Sequence, residues 1–119
     1  MQKYNFSYDI ENDDLFIFRP NCKSNASVEM GNFIFDYNNK KEFVGLQIIN
    51  ASKFLKDWIS EEDLRNIKSI LSSLKECKLD VKQENNLLLI KIFLFSPIKN
   101  IMAPIMTPRL VEVSPSLRV

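Results

Sequence analysis

The stretch LLLIKIFLF, Leu87 to Phe95, constrains the fold more than any other part of the chain. Lys91 is its one polar residue, and its length is about half of what a membrane-spanning helix needs. Read as a strand, it sets Leu88, Ile90, Ile92 and Leu94 on one face and Leu87, Leu89, Phe93 and Phe95 on the other. A strand apolar on both faces has to be covered on both. LFIF, Leu15 to Phe18, repeats the pattern in miniature.

The rest of the chain supplies the partners of such a strand. In YNFSYDI, Tyr4, Phe6, Tyr8 and Ile10 share a face. ENDD (Glu11–Asp14) is a turn, since Asn and Asp bond their own backbone and tolerate left-handed geometry, and LFIF closes a first hairpin. Pro20 ends it, and PNCKSNAS reads as a loop. NFIFDY and EFVGLQII flank NNKK (Asn38–Lys41), a second hairpin, in which Gly45 marks a bulge or a close backbone approach. Alternation sets Val44, Leu46 and Ile48 on one face and Phe43, Gly45, Gln47 and Ile49 on the other.

The period then changes. Asn50 and Ser52 stand where strand becomes helix, and Ser52 is expected to cap a short helix through Trp58 or Ile59. Ser60 is expected to cap a longer one, EEDLRNIKSILSSLKE, whose apolar stripe is Leu64, Ile67, Ile70, Leu71 and Leu74. CKLDVKQE and LLLIKIFLF, joined at Asn85-Asn86, make a third hairpin. Residues 96–119 carry four of the five prolines, so they read as an extended arm, with RLVEV as an edge strand.

The expected fold is therefore a single α+β domain over residues 1–119. It has an antiparallel sheet of about six or seven strands from three hairpins, with one short and one longer helix between the second and third. Residues 4–55 hold the first two hairpins and the helix start, 60–95 the longer helix and third hairpin, and 96–119 the arm. Two helices cover one face of such a sheet and leave the other open. The open face is expected to be covered by a second copy, making a homodimer, with the C-terminal arm folding back as the alternative. Phe93, Phe95, Ile101, Met102, Ile105 and Met106 are the expected interaction residues, because IMAPIM adds adaptable methionines to the apolar strand.

Composition removes several kinds of chemistry. There is no histidine, which excludes Cys/His zinc sites and Ser-His-Asp or Cys-His catalysis. Only Gly31 and Gly45 are present, so there is no glycine-rich phosphate loop. Cys22 and Cys77 form no CxxC pair and read as free thiols in a reducing cytoplasm. The N-terminal stretch MQKYNFSYDIENDD lacks an apolar core, so no signal peptide and no membrane partner are expected. Sixteen basic residues against 15 acids leave a net charge of +1, too little to steer the chain onto nucleic acid. Lys53 and Lys56 beside Trp58 are a weak basic-aromatic hint, blunted by Asp57, Glu61, Glu62 and Asp63. Asp9, Asp14 and Asp36 are the candidate ligands of a hard divalent cation, which makes a small metal-dependent enzyme or ligand binder the alternative function, and solvated turn acids are the plainer reading. No cofactor is expected.

Three blocks in order resemble the small prokaryotic family known as domain of unknown function 2283. Tyr8, Asp9, Glu11, Asp14, Leu15, Phe16 and Ile17 match its opening, Asp36 its middle, and Gly45, Leu46, Ile48, Ile49, Asn50, Ala51 and Ser52 its close. The resemblance covers about residues 4–55 and makes Tyr8, Gly45, Asn50 and Ser52 signature positions. Gln47 stands where the family usually carries Glu. The resemblance implies little chemistry; some members are similar to the antitoxin partners of small toxins, beside which they are encoded. The expectation is a binding module rather than an enzyme, with the signature acting as a structural hinge.

Overall fold

A computed structural model of the chain describes residues 1–108. The strands are β1 (Gln2–Asp9), β2 (Asp14–Phe18), β3 (Ala26–Met30), β4 (Phe33–Tyr37), β5 (Phe43–Ile48), β6 (Glu76–Glu84), β7 (Leu87–Phe95) and β8 (Ile101–Pro108). Between β5 and β6 lie α1 (Ala51–Leu55), a 3-10 turn (Lys56–Trp58), α2 (Glu61–Arg65) and α3 (Ile67–Ser72). The eight strands form one antiparallel sheet in the order β3-β4-β5-β2-β1-β6-β7-β8.

β1 is the corner of this sheet. Its first part, Gln2–Tyr4, pairs with β6, whereas Asn5–Asp9 pair with β2. A strand that changes partners along its length lets the two halves of a twisted sheet turn toward each other. The sheet curls into a half-barrel, and its two edge strands approach at the open side, where the Thr107 hydroxyl donates to the Met30 sulfur at 3.0 Å. The helical segment fills the concavity with Ala51, Leu55, Ile67, Ile70, Leu71 and Leu74. Phe54 packs edge-on against Phe33 at 5.0 Å between ring centroids. Against these helices lie Leu15, Ile17, Leu46, Ile48, Cys77, Leu79 and the Leu88, Ile90, Ile92, Leu94 column of β7, all buried. Each fully buried aliphatic side chain contributes about 1.5–3 kcal/mol.

Local chemistry accounts for the turns. Asp9 Oδ1 accepts from the backbone N–H groups of Glu11 and Asn12, and Asp13 takes a left-handed conformation at φ 57°. Asn38 Oδ1 accepts from the Lys40 and Glu42 amides, both at 2.9 Å, which fixes the β4–β5 turn. Asn85, at φ 52°, turns β6 into β7. Ser96 Oγ binds the amides of Ile98 and Lys99 before β8.

This architecture corrects the expected one in several places. Over the described residues the sheet has eight strands, not six or seven, and the helical part is three short helices instead of one short and one longer. β3 arises at the end of the stretch read as loop, because Val28 and Met30 turn inward opposite Phe35 and Phe33. β8 runs through the segment read as a proline-rich arm and pairs with β7 along its whole length, from Ile101 opposite Leu94 to Pro108 opposite Leu87. Pro104 and Pro108 have the same parity. An unbroken ladder to β7 therefore directs both missing N–H positions to the outer edge of an edge strand, where proline is tolerated. RLVEV, residues 109–113, lies outside the described residues. The longer helix breaks at Asn66, whose φ of −108° and ψ of 13° end α2 and begin α3. Finally, the β4–β5 register shifts, with Tyr37 opposite Phe43 and Asp36 opposite Gly45, so Val44 is the extra residue of a bulge. The bulge turns Phe43 into the core beside Tyr4 and Tyr37, away from the face that strict alternation assigns to it.

Candidate interaction surface

The convex face of the sheet follows from the same registers. Its β4, β5 and β2 portion carries Ile34, Gln47 and Phe16 in one row and Asp36, Gly45 and Phe18 in the next. The β1 and β6 columns are polar: Lys3, Asn5 and Ser7 beside Glu76, Lys78, Asp80, Lys82 and Glu84. β7 and β8 are apolar again. Leu87, Leu89, Phe93 and Phe95 point outward on β7, and Phe93 pairs with Met102, Leu89 with Met106 and Lys91 with Pro104. Met102 and Met106 are 47% and 69% exposed, and Leu87 is exposed as well.

The interaction residues named from the sequence divide here. Phe93 and Phe95 lie half-buried on the convex face, together with the exposed Met102 and Met106. Ile101 and Ile105 point the other way and are buried in the core with Ala103, so they have no part in the outer surface. The reason is the strand itself, which sends alternate residues of IMAPIM to opposite faces. Leu87 and Leu89 join the surface instead. Their outward direction is readable from the alternation of β7.

The signature residues form a second feature, and Asp13 is its centre. The Tyr8 hydroxyl donates to Asp13 Oδ1 at 2.6 Å. The Ser52 hydroxyl donates to Asp13 Oδ2 at 2.5 Å, and the Ser52 amide donates to the same oxygen at 3.1 Å. The Ala51 amide reaches the Asp13 carbonyl at 2.8 Å. Burial and the neighbouring carboxylate together raise the Tyr8 pKa well above the usual phenol range. Ser52 is thus not the N-cap. That position belongs to Asn50, left-handed at φ 55° with no side-chain bond, and Asp13 satisfies the first two amides of α1, accepting Ala51 N–H on its carbonyl and Ser52 N–H on its carboxylate. Ser60 does cap α2, accepting from the Asp63 amide at 3.1 Å. Gly45 sits at a close approach: a Cβ there would lie 3.2 Å from both Asp36 Oδ2 and the Ile17 carbonyl oxygen, so those neighbours would have to give by a few tenths of an ångström.

The candidate metal ligands do not converge. Asp9 faces Asp14 across the β1–β2 pair, but both Asp9 oxygens hold the turn through Glu11 and Asn12. Asp14 Oδ1 is buried without a hydrogen-bond partner. Asp36 accepts the Ser27 hydroxyl at 2.5 Å and lies in the row of Phe18, four residues along β2 from Asp14. At about 3.4 Å per residue that separation is beyond a shared ion. Among the described residues no group of three or more acidic or cysteine side chains is placed to hold a metal. Lys53, Lys56 and Trp58 are exposed on α1 and the 3-10 turn, with Asp57, Glu61 and Glu62 exposed beside them. Cys22 is exposed and Cys77 buried. A polar cavity of about 280 Å³ is lined by Asn21, Cys22, Lys23, Asn25, Asn38 and Asn39. Among the described residues no helix is long and apolar enough to cross a membrane.

Comparison with known proteins adds two archaeal relatives. The chain is 31% identical over 87 residues to a Methanosarcina mazei protein provisionally named hypoxanthine phosphoribosyltransferase, a match covering 73% of this chain and 65% of the relative. It is 33% identical over 51 residues to an uncharacterised protein of Methanocaldococcus jannaschii, covering 43% of this chain and 44% of that one. The chain thus spans just under two thirds of the first relative and less than half of the second. No family model matches the chain, so the resemblance described above stands on the residues quoted for it. No solved structure matches it either.

Proposed function

We propose that the protein is a non-catalytic interaction module that self-associates through the convex face of β7 and β8. The observation that carries this reading is the set of outward apolar side chains there, with Met106 largely and Met102 about half exposed beside Phe93, Leu89 and Leu87. A contiguous apolar patch on a sheet face marks an interaction site, and aromatic residues with methionine are enriched at such surfaces. The Tyr8–Asp13–Ser52 junction is the hinge that holds the first turn against α1, and needs no catalytic duty. An antitoxin-like role, in which the module engages a small protein partner, is the concrete form that the family resemblance suggests.

A peroxide footprint tests the reading. Free methionine added to the reaction serves as the reference for Met106, which is 69% exposed. Oxidation of Met102 and Met106 should slow as protein concentration rises while that of the free methionine does not. Equal rates at every concentration would overturn the self-association. Turnover of hypoxanthine with a phosphoribosyl donor, the activity in the name of the Methanosarcina relative, would overturn the non-catalytic part.

A further inference from the structure

The β6 column next to the apolar patch has a charge order that is self-complementary. Glu76, Lys78, Asp80, Lys82 and Glu84 point outward in succession, so the signs alternate along the strand. Two such columns running antiparallel attract at some offsets and repel at those between. We infer that the occupant of the convex face is a second copy of this chain, packed face to face about a two-fold axis that crosses β6 at Leu79. The inference rests on the interaction reading above and adds the partner and the register.

The axis at Leu79 sets Glu76 against Lys82 of the second copy and Lys78 against its Asp80, with both contacts repeated by symmetry. Leu79 pairs with Ile92 and Ile92 with Ala103, so the same axis crosses β7 and β8 at those residues. Lys91 then lies against Phe93 of the second copy, Leu89 against its Phe95 and Met102 against its Pro104. Apolar side chains meet in the middle and charged columns close one flank, the usual anatomy of an interface. Moving the axis by one residue sets like charges together: at Asp80, Glu76 meets Glu84, Lys78 meets Lys82 and Asp80 meets itself, and at Lys78, Glu76 meets Asp80 and Lys78 meets itself. Moving it by two, to Val81, restores opposite charges but sets Lys91 against Leu89 in place of Phe93. Contacts within one copy engage one end of the column weakly: Glu76 lies 3.5 Å from Lys3 and 3.8 Å from Lys78, and the Lys78 ammonium lies 5.8 Å from the Phe95 ring centroid, all partly exposed contacts of small energetic weight.

The edges argue for a face contact as well. Pro104 and Pro108 remove two outward donors from β8, which blunts it against strand addition. The Thr107–Met30 contact draws the two edges of one copy toward each other.

The test is a charge swap in the full chain, read by sedimentation velocity across a concentration series. Lys78→Asp and Asp80→Lys should each weaken the dimer by about tenfold, because the axis makes every substitution act twice. The double variant Lys78→Asp/Asp80→Lys should return to the wild-type dissociation constant, since the new carboxylate of one copy would then face the new ammonium group of the other. With the axis at Val81 the double swap would instead set like charges together and give the weakest dimer of the series. A dimer that the double swap fails to restore therefore overturns the register while sparing self-association. A wild-type chain that is monomeric throughout overturns both, and leaves the face to another occupant such as the C-terminal arm. Circular dichroism of each variant should match wild type, as all the altered side chains lie on the convex face.

Discussion

Replacing Asp13 by Asn should cost the fold about 1.5–3 kcal/mol. Asn tolerates the left-handed backbone that Asp13 adopts, and the variant keeps the carbonyl that accepts the Ala51 amide. What changes is one carboxylate oxygen. It becomes an amide nitrogen, which donates and cannot accept, so either the Tyr8 hydroxyl at 2.6 Å or the Ser52 hydroxyl at 2.5 Å loses its acceptor. The remaining bond also loses its charge assistance. The junction is only half-buried, which keeps the cost away from the larger values seen for buried charge pairs. For a chain of this size, 1 kcal/mol corresponds to about 3–6 °C in melting temperature. A fall of about 5–15 °C is expected, with a matching drop in the urea midpoint at unchanged m-value. Tyr8→Phe and Ser52→Ala should each cost about 1–2 kcal/mol. In the Asp13→Asn background one of those two changes should cost almost nothing, because its bond is already gone. An Asp13→Asn protein within about 0.5 kcal/mol of wild type would refute the junction as the tie between the first turn and α1.

Three further outcomes follow from the packing. Gly45→Ala should destabilise the fold by about 1–3 kcal/mol by urea denaturation, because its Cβ meets the Ile17 carbonyl and Asp36 at 3.2 Å; an unchanged midpoint would mean that β5 has slack there. A thiol reagent should titrate Cys22 in the native protein and both cysteines in denaturant, since Cys77 is buried; rapid native reaction at both would contradict the buried position. Stability should fall as pH rises above about 9. Burial pushes the Cys77 thiol up from 9.0 to about 12 and raises Tyr4, Tyr8 and Tyr37 above 10.0. In that window the unfolded chain gives up protons that the folded chain retains, so the unfolded state gains. Urea midpoints that rise between pH 8 and pH 10.5 would contradict this burial.

The sequence shows its turns more clearly than its layout. Asn38 and Asn85 announce tight reversals because their chemistry is local, and Ser60 announces a helix start for the same reason. β3 gives little signal, since ASVEM holds only two inward side chains, Val28 and Met30, and follows a run of loop residues. β8 is hidden by Pro104 and Pro108, which are loop signals everywhere except at the outer edge of a sheet. No proline or glycine marks the break at Asn66. Ser52 imitates a cap because the carboxylate that serves α1 comes from Asp13, 39 residues away, and no local pattern shows such a partner. Alternation puts Phe43 on the wrong face because a bulge shifts the parity of every residue before it, and Gly45 alone does not fix where the bulge falls. The candidate surface is legible in part. The outward residues of β7 follow from strict alternation, whereas the inward turn of Ile101 and Ile105 requires knowing that the arm is a strand.

The most direct measurement is sedimentation equilibrium of the full chain from about 1 to 100 µM in moderate salt. A chain of 13.9 kDa that uses its convex face for self-association should shift to twice that mass within this range. The shift should be lost in a Met102→Glu/Met106→Glu variant whose melting temperature stays near that of wild type, both side chains lying outside the core. A wild-type protein of 13.9 kDa at every concentration would contradict the central claim.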